Sequence, residues 1–148
     1  MKKKLNSILL IDDDEATNFI HRIVIQDHGC CEKIVFKLDG EEALKYLSSP
    51  AENGLPNPDL IFLDINMPKL DGWGFLEKYQ SMVEGKTSKI IVMLTTSLNN
   101  LDREKAESME LISEFRNKPL SEGILDEIIE KYFDEQAATK QQTSIADQ

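Results

Sequence analysis

The stretch PDLIFLDINMPKLDGWGFL, residues Pro58 to Leu76, decides the fold. Its first part, Leu60 to Leu63, is apolar at every position. A strand with one wet face alternates apolar and polar residues, so a strand without alternation is covered on both faces, as in a parallel sheet between helices. Its last part opens a helix from Gly72 to Val83, with Trp73, Leu76, Tyr79 and Val83 at helical spacing. Asp64 stands where strand passes into loop, and Met67 and Pro68 shape that loop beside it.

The same strand-then-helix unit repeats outward in both directions. Leu5 to Ile11 is a first strand, interrupted only by Asn6 and Ser7, and Ala16, Phe19, Ile20, Ile23 and Val24 mark the helix behind it. Lys33 to Leu38 is a second strand rich in β-branched and aromatic residues. A short helix follows from Gly40 to Ser48, with Ala43, Leu44 and Leu47 on one face. Ser49 to Pro58, dense in Pro, Gly and Asn, is loop, with a turn at Asn53-Gly54. Downstream come a fourth strand at Ile90 to Leu94 and a weakly amphipathic helix at Asn99 to Met109, anchored by Leu101, Ala106 and Met109. Leu111 to Arg116 is a fifth strand of poor propensity, and Ile124, Leu125, Ile128, Ile129 and Tyr132 make the clearest helical stripe in the chain. Five such units, with connections long enough for right-handed helical crossovers, imply an α/β fold: an open, doubly wound, five-stranded parallel sheet with five helices. One domain over 1–133 is expected, followed by a flexible polar tail over 134–148.

Composition narrows the function. The 148 residues suffice for one core, and 41% hydrophobic with 30% charged residues suits a soluble globular chain. The net charge of −10 argues against nucleic acid as a partner, because affinity there rests on Lys and Arg neutralising phosphates. No apolar run is long enough to span a membrane, and the basic Met1 to Leu5 start lacks the apolar stretch of a signal peptide. The adjacent Cys30 and Cys31 read as small, partly buried thiols in a reducing cytoplasm, the expected location.

The polar residues of interest all follow strands. Asp12, Asp13 and Asp14 come after the first, Asp64 after the third, Thr95 after the fourth and Lys118 after the fifth. In a parallel sheet these ends share one edge, where open α/β folds bind ligands. Asp14, just before Glu15-Ala16, is expected to cap the first helix. Three carboxylates crowded together repel, by roughly 3 kcal/mol per pair at about 5 Å and an effective dielectric near 20. A hard divalent cation such as Mg²⁺ relieves this with oxygen ligands. The two histidines, His21 and His28, are expected to be solvated and away from this edge, which disfavours zinc. Carboxylates, a cation, a hydroxyl and a lysine are the parts that handle a phosphoryl group. There is no GxxxxGK[ST] loop, which leaves transfer onto a carboxylate as the chemistry, with Asp64 the central candidate.

The chain resembles the receiver domains of two-component signalling, from Ile8 to about Phe133. The resemblance rests on ILLIDDDE (Ile8 to Glu15), PDLIFLDINMPKLDGWGFL, IIVMLTTS (Ile90 to Ser97) and NKPL (Asn117 to Leu120). It implies a flavodoxin-like sheet of strand order 2-1-3-4-5, like that of the stand-alone chemotaxis regulators. It implies that Asp64 accepts a phosphoryl group from a sensor histidine kinase or a histidine phosphotransfer protein. By the same resemblance Asp13 binds Mg²⁺ directly, Asp12 mainly through water, and Asp64 and the Asn66 backbone carbonyl complete the protein ligands. Thr95 moves its hydroxyl to the phosphoryl group, Lys118 pairs with it, and Phe115 holds the place of the family's switching aromatic, often Tyr. The Lys118-Pro119 bond is expected to be cis. The implied protein is a single-domain response regulator and not an enzyme beyond its own phosphorylation and dephosphorylation.

Its output surface is expected on the fourth helix, fifth strand and fifth helix, in a monomer or weak homodimer. Thr96 stands where a smaller residue is usual, and SPAENGLPNP is longer than the usual connection, resembling single-domain regulators associated with photoreceptor and hybrid kinases. A phosphatase or transferase with an aspartate nucleophile is the rival reading. Such enzymes place a second Asp two residues on as general acid, and here that position is Asn66. An unphosphorylated adaptor of the same fold is the third.

Overall fold

The computed structural model describes residues 4–48, 57–85, 87 and 89–133. Strand and helix alternate through β1 (Leu5–Ile11), α1 (Glu15–His28), β2 (Cys31–Lys37), α2 (Gly40–Ser48), β3 (Leu60–Leu63), α3 (Gly72–Met82), β4 (Ile90–Thr95), α4 (Asn100–Ser108), β5 (Glu114–Asn117) and α5 (Glu122–Tyr132). All strand pairs are parallel, in the order β2-β1-β3-β4-β5. The fold class and order expected from the sequence are the ones observed. The expected 134–148 tail and most of the long 49–58 connection lie outside the described residues.

The unbroken apolar strands do what their pattern requires. β3 is buried at all four positions, and successive residues feed two separate cores. Ile61 and Leu63 join Leu9, Ile11, Ile91 and Met93 under α2 and α3, with Tyr46, Phe75 and Tyr79. Leu60 and Phe62 join Ile8, Leu10, Val92 and Leu94 under α1 and α5, with Ile25, Leu125 and Ile128. Each fully buried aliphatic side chain contributes roughly 1.5–3 kcal/mol. Phe75 and Tyr79 stack with ring centroids 5.7 Å apart.

Three sequence readings need correction. The apolar stripe that marks α1 packs on the core only through Val24: Asn18, His21 and Ile25 are buried, while Phe19, Ile20 and Ile23 are exposed. Leu101 does not anchor α4 but is 70% exposed, and Ala106 is the helix's buried residue. β5 begins at Glu114, not Leu111, because Leu111 and Ile112 pack into the core from the turn before it.

Candidate functional site

The strand C-termini converge as the topology demands. Asp12, Asp13 and Asp64 each offer a carboxylate oxygen, and these oxygens lie within 4.8 Å of one another. Asp12 and Asp64 are buried and Asp13 is exposed, so the cluster opens outward through Asp13. Asp14 does not join it. Its carboxylate caps α1, accepting from Ala16 N–H at 3.0 Å and from the Thr17 hydroxyl at 2.8 Å. Asp12 Oδ1 accepts Asp14 N–H at 3.0 Å, and Asp64 Oδ1 accepts Ile65 N–H at 2.9 Å.

Lys118 reaches the same point from β5. Its ammonium lies 2.5 Å from Asp12 Oδ2 and 3.5 Å from Asp64 Oδ2. Its N–H is held by the Thr95 carbonyl at 2.9 Å, and the Lys118-Pro119 bond is cis. Thr95 is fully buried. Burial, and then the charge of Asp12, push the Asp64 carboxyl above the usual carboxylate range, while Lys118, Ile65 N–H and the Thr95 hydroxyl pull it back. One ammonium among three carboxylates leaves the pocket with excess negative charge. The donors are all hard oxygens, so the set fits Mg²⁺ and not a soft metal. Asn66, exposed, follows on the loop from Asp64.

A sequence profile of the response regulator receiver domain matches residues 8–130. The chain belongs to the response regulator receiver domain family. It is 28% identical over 134 residues to the two-component response regulator ARR22 of Arabidopsis thaliana, covering 90% of this chain and 88% of that one. A solved two-component response regulator from Cytophaga hutchinsonii superposes with a TM-score of 0.80 at 31% identity, covering 88% of this chain and 98% of that chain. The bacteriophytochrome response regulator AtBRR does so with a TM-score of 0.70 at 26% identity, over 88% and 94%. Receiver domains are signalling proteins of two-component systems rather than enzymes in the usual sense, and they work with histidine kinases or phosphotransfer proteins. Among the described residues of this receiver domain, no helix is long and apolar enough to cross a membrane.

In this receiver domain a glycine holds the start of α3 against the end of β3. Gly72 sits where a Cβ would lie 2.5 Å from the Asp64 carbonyl oxygen and 2.9 Å from Ile65 Cα, both backbone atoms that cannot swing aside. Its N–H donates to the Ile65 carbonyl at 2.7 Å, so α3 starts pressed against the end of β3. Gly72→Ala is therefore expected to cost about 1–3 kcal/mol of stability, read by urea denaturation. The Asp-Gly pair of the β3 motif was the visible signal for it.

The expectation of two solvated histidines away from the acidic edge fails for His21, whereas His28 is away from that edge but paired rather than simply solvated. His21 is 3% exposed and lies behind the acidic edge, where burial and then Lys118 hold its pKa below the ordinary value. His28 is bonded to Asp126 at 2.7 Å across α1 and α5. Cys30 and Cys31 are free thiols, the first buried and the second half-buried, as read. Phe115 is half-buried against the α2/α3 core, with the Arg103 guanidinium 4.8 Å over its ring.

Proposed function

We propose that this receiver domain is a response regulator that accepts a phosphoryl group on Asp64 from a phosphohistidine of a sensor kinase or phosphotransfer protein. The observation that carries the reading is a buried carboxylate with raised pKa, flanked by Asp12 and Asp13 and reached by Lys118. An Asp64 oxygen attacks phosphorus. The new P–O bond forms as the P–N bond to the donor imidazole breaks, and the electron pair returns to that ring. Lys118 shifts its charge from Asp12 toward the phosphoryl oxygens, and the Thr95 hydroxyl donates to one of them.

Asp13 would hold Mg²⁺ directly and Asp12 mainly through water, with Asp64 and the Asn66 carbonyl completing the protein ligands. Bound there, the ion neutralises the charge that Lys118 alone leaves uncompensated. Ile20, 53% exposed on α1, lines an open cavity of about 260 Å³ together with Thr17, His21, Thr96, Lys118 and Pro119. An apolar rim beside the acceptor suits a helical phosphodonor protein. The signal leaves through α4, β5 and α5, in a monomer or weak homodimer.

Intact-mass measurement after incubation with phosphoramidate tests the reading: one added phosphoryl group is expected with Mg²⁺ and almost none with a chelator. No mass gain under either condition would instead favour an unphosphorylated adaptor. The metal has its own signature. Binding only the folded chain, Mg²⁺ at about a hundred times its Kd raises stability by about 2.7 kcal/mol. Asp13→Ala is expected to raise the melting temperature of the metal-free protein, by relieving repulsion, and to remove most of the Mg²⁺ response. A variant that loses stability without metal yet responds fully to it places the ion elsewhere.

A further inference from the structure

α1 turns two polar side chains, Asn18 and His21, toward the protein, one helical turn apart and 1% and 3% exposed. Burying polar groups in place of apolar ones costs stability unless each finds a partner. Asn18 finds Asp12, its Nδ2 donating to the Asp12 carbonyl at 2.8 Å. His21 finds the loop after β5, its Nε2 accepting Leu120 N–H at 3.4 Å. A main-chain N–H only donates, so Nε2 is the bare nitrogen and the ring proton is on Nδ1. The two contacts tie one helix to both halves of the charge pair: Asn18 to the strand end carrying Asp12, His21 to the turn carrying Lys118.

We infer that His21 is a positioning residue for the Lys118 ammonium: it anchors the Lys118-to-Leu120 turn to α1 and so aims that ammonium at Asp12 and Asp64. The turn has a second anchor on the opposite side, Lys118 N–H on the Thr95 carbonyl at 2.9 Å. With both in place the turn is fixed from β4 and from α1, and the lysine stem spans the gap between. His21 lines a cavity of about 10 Å³ together with Asp12, Asn18 and Asp64, so the ring lies close to the acidic cluster. His21 touches no reacting atom in this arrangement. It acts through the place it gives Lys118, and transfer rates respond steeply to small misplacements of such groups.

The inference rests on the reading of Asp64 as phosphoacceptor, and the experiment separates the two. Labelling by phosphoramidate with saturating Mg²⁺ is compared in wild type, His21→Leu and His21→Gln. Leu keeps the bulk and loses the acceptor, whereas the Gln side-chain oxygen reaches the position of Nε2. The saturating labelling rate is expected to fall about tenfold in His21→Leu, with half-saturation by phosphoramidate unchanged, and to return to within about threefold of wild type in His21→Gln. Labelling of His21→Leu at the wild-type rate overturns the inference alone, and so does a loss that Gln fails to restore. A wild type that does not label overturns the phosphoacceptor reading and this inference with it. Should His21→Leu fail to fold, imidazole ¹⁵N shifts of the wild type decide. An Nδ1-protonated ring is required, and an Nε2-protonated ring overturns the proposal.

Discussion

Asp64→Asn is expected to abolish the mass gain from phosphoramidate entirely while making the metal-free protein more stable at neutral pH. The first effect follows from chemistry: an amide oxygen at that position does not form an acyl phosphate, and the exposed Asp13 is not held by Lys118 in the way Asp64 is. Undiminished labelling would move the acceptor to Asp12 or Asp13. The second effect follows from electrostatics. In the folded chain the Asp64 carboxyl is raised above its ordinary value of 3.8, by burial first and by Asp12 second. Between 3.8 and that raised value the folded state binds more protons than the unfolded one, so stability falls as pH rises through the window. The contribution of Asp64 is fully present below 3.8 and lost above the folded pKa. Asn carries no charge to lose. Thermal melts of the two proteins should therefore diverge toward neutral pH, the variant higher, and converge in acid below 3.8. Lys118 keeps its 2.5 Å contact with Asp12 in the variant, so no ammonium is stranded.

That the acidic edge could be read before the fold was known has a simple cause. Strand C-termini of a parallel sheet share an edge, so Asp12, Asp64, Thr95 and Lys118 were bound to meet once the strands were assigned, and strands this apolar are hard to mistake. What failed is equally physical. Helical periodicity finds an apolar stripe and equates it with the core, but α1 lies at the rim of the site. There the inward positions 18 and 21 carry Asn and His to serve the backbone of Asp12 and Leu120, and the apolar Phe19, Ile20 and Ile23 face outward. Local pattern cannot tell a helix that hides its apolar face from one that offers it. β5 was misplaced for a related reason. Its residues Glu114 to Asn117 are only half-buried and, Phe115 apart, polar, held by ion pairs such as Arg116 with Glu127 at 2.6 Å, while the apolar Leu111 and Ile112 serve the turn. Gly72 was visible as a glycine, but the 2.5 Å approach that requires it depends on where β3 ends relative to α3.

The largest distal effect is expected from Thr95→Ala. Thr95 touches Asp64 on one side and the β4–α4 loop on the other. Its hydroxyl helps hold the Asp64 pKa down and accepts Ser97 N–H at 3.2 Å, and its carbonyl receives Lys118 N–H. Asn117 adds a further tie, its side-chain amide donating to the Ser97 carbonyl at 2.8 Å and accepting from Arg103 at 3.5 Å. Arg103 in turn covers the face of Phe115. A pull on Thr95 toward a phosphoryl group thus disturbs the β4–α4 loop, and the same loop is bound to the clamp that keeps Phe115 at the surface. Cation–π contacts at such exposed sites hold by only ~0.5–1 kcal/mol, a bias small enough for phosphorylation to reverse. α4 is suited to move, since Ala106 is its only fully buried side chain. Beryllofluoride, which stands in for the phosphoryl group on Asp64, should therefore shift backbone amides from Asn99 to Phe115 in the wild type. In Thr95→Ala it should still bind, shifting the loops around Asp64, while the changes from Asn99 to Phe115 largely vanish. Arg103→Gln should do the opposite, moving Phe115 part of the way inward before any beryllofluoride is added. Wild-type shifts confined to the loops around Asp64, or distal shifts that survive in Thr95→Ala, would show that the output does not run through Thr95.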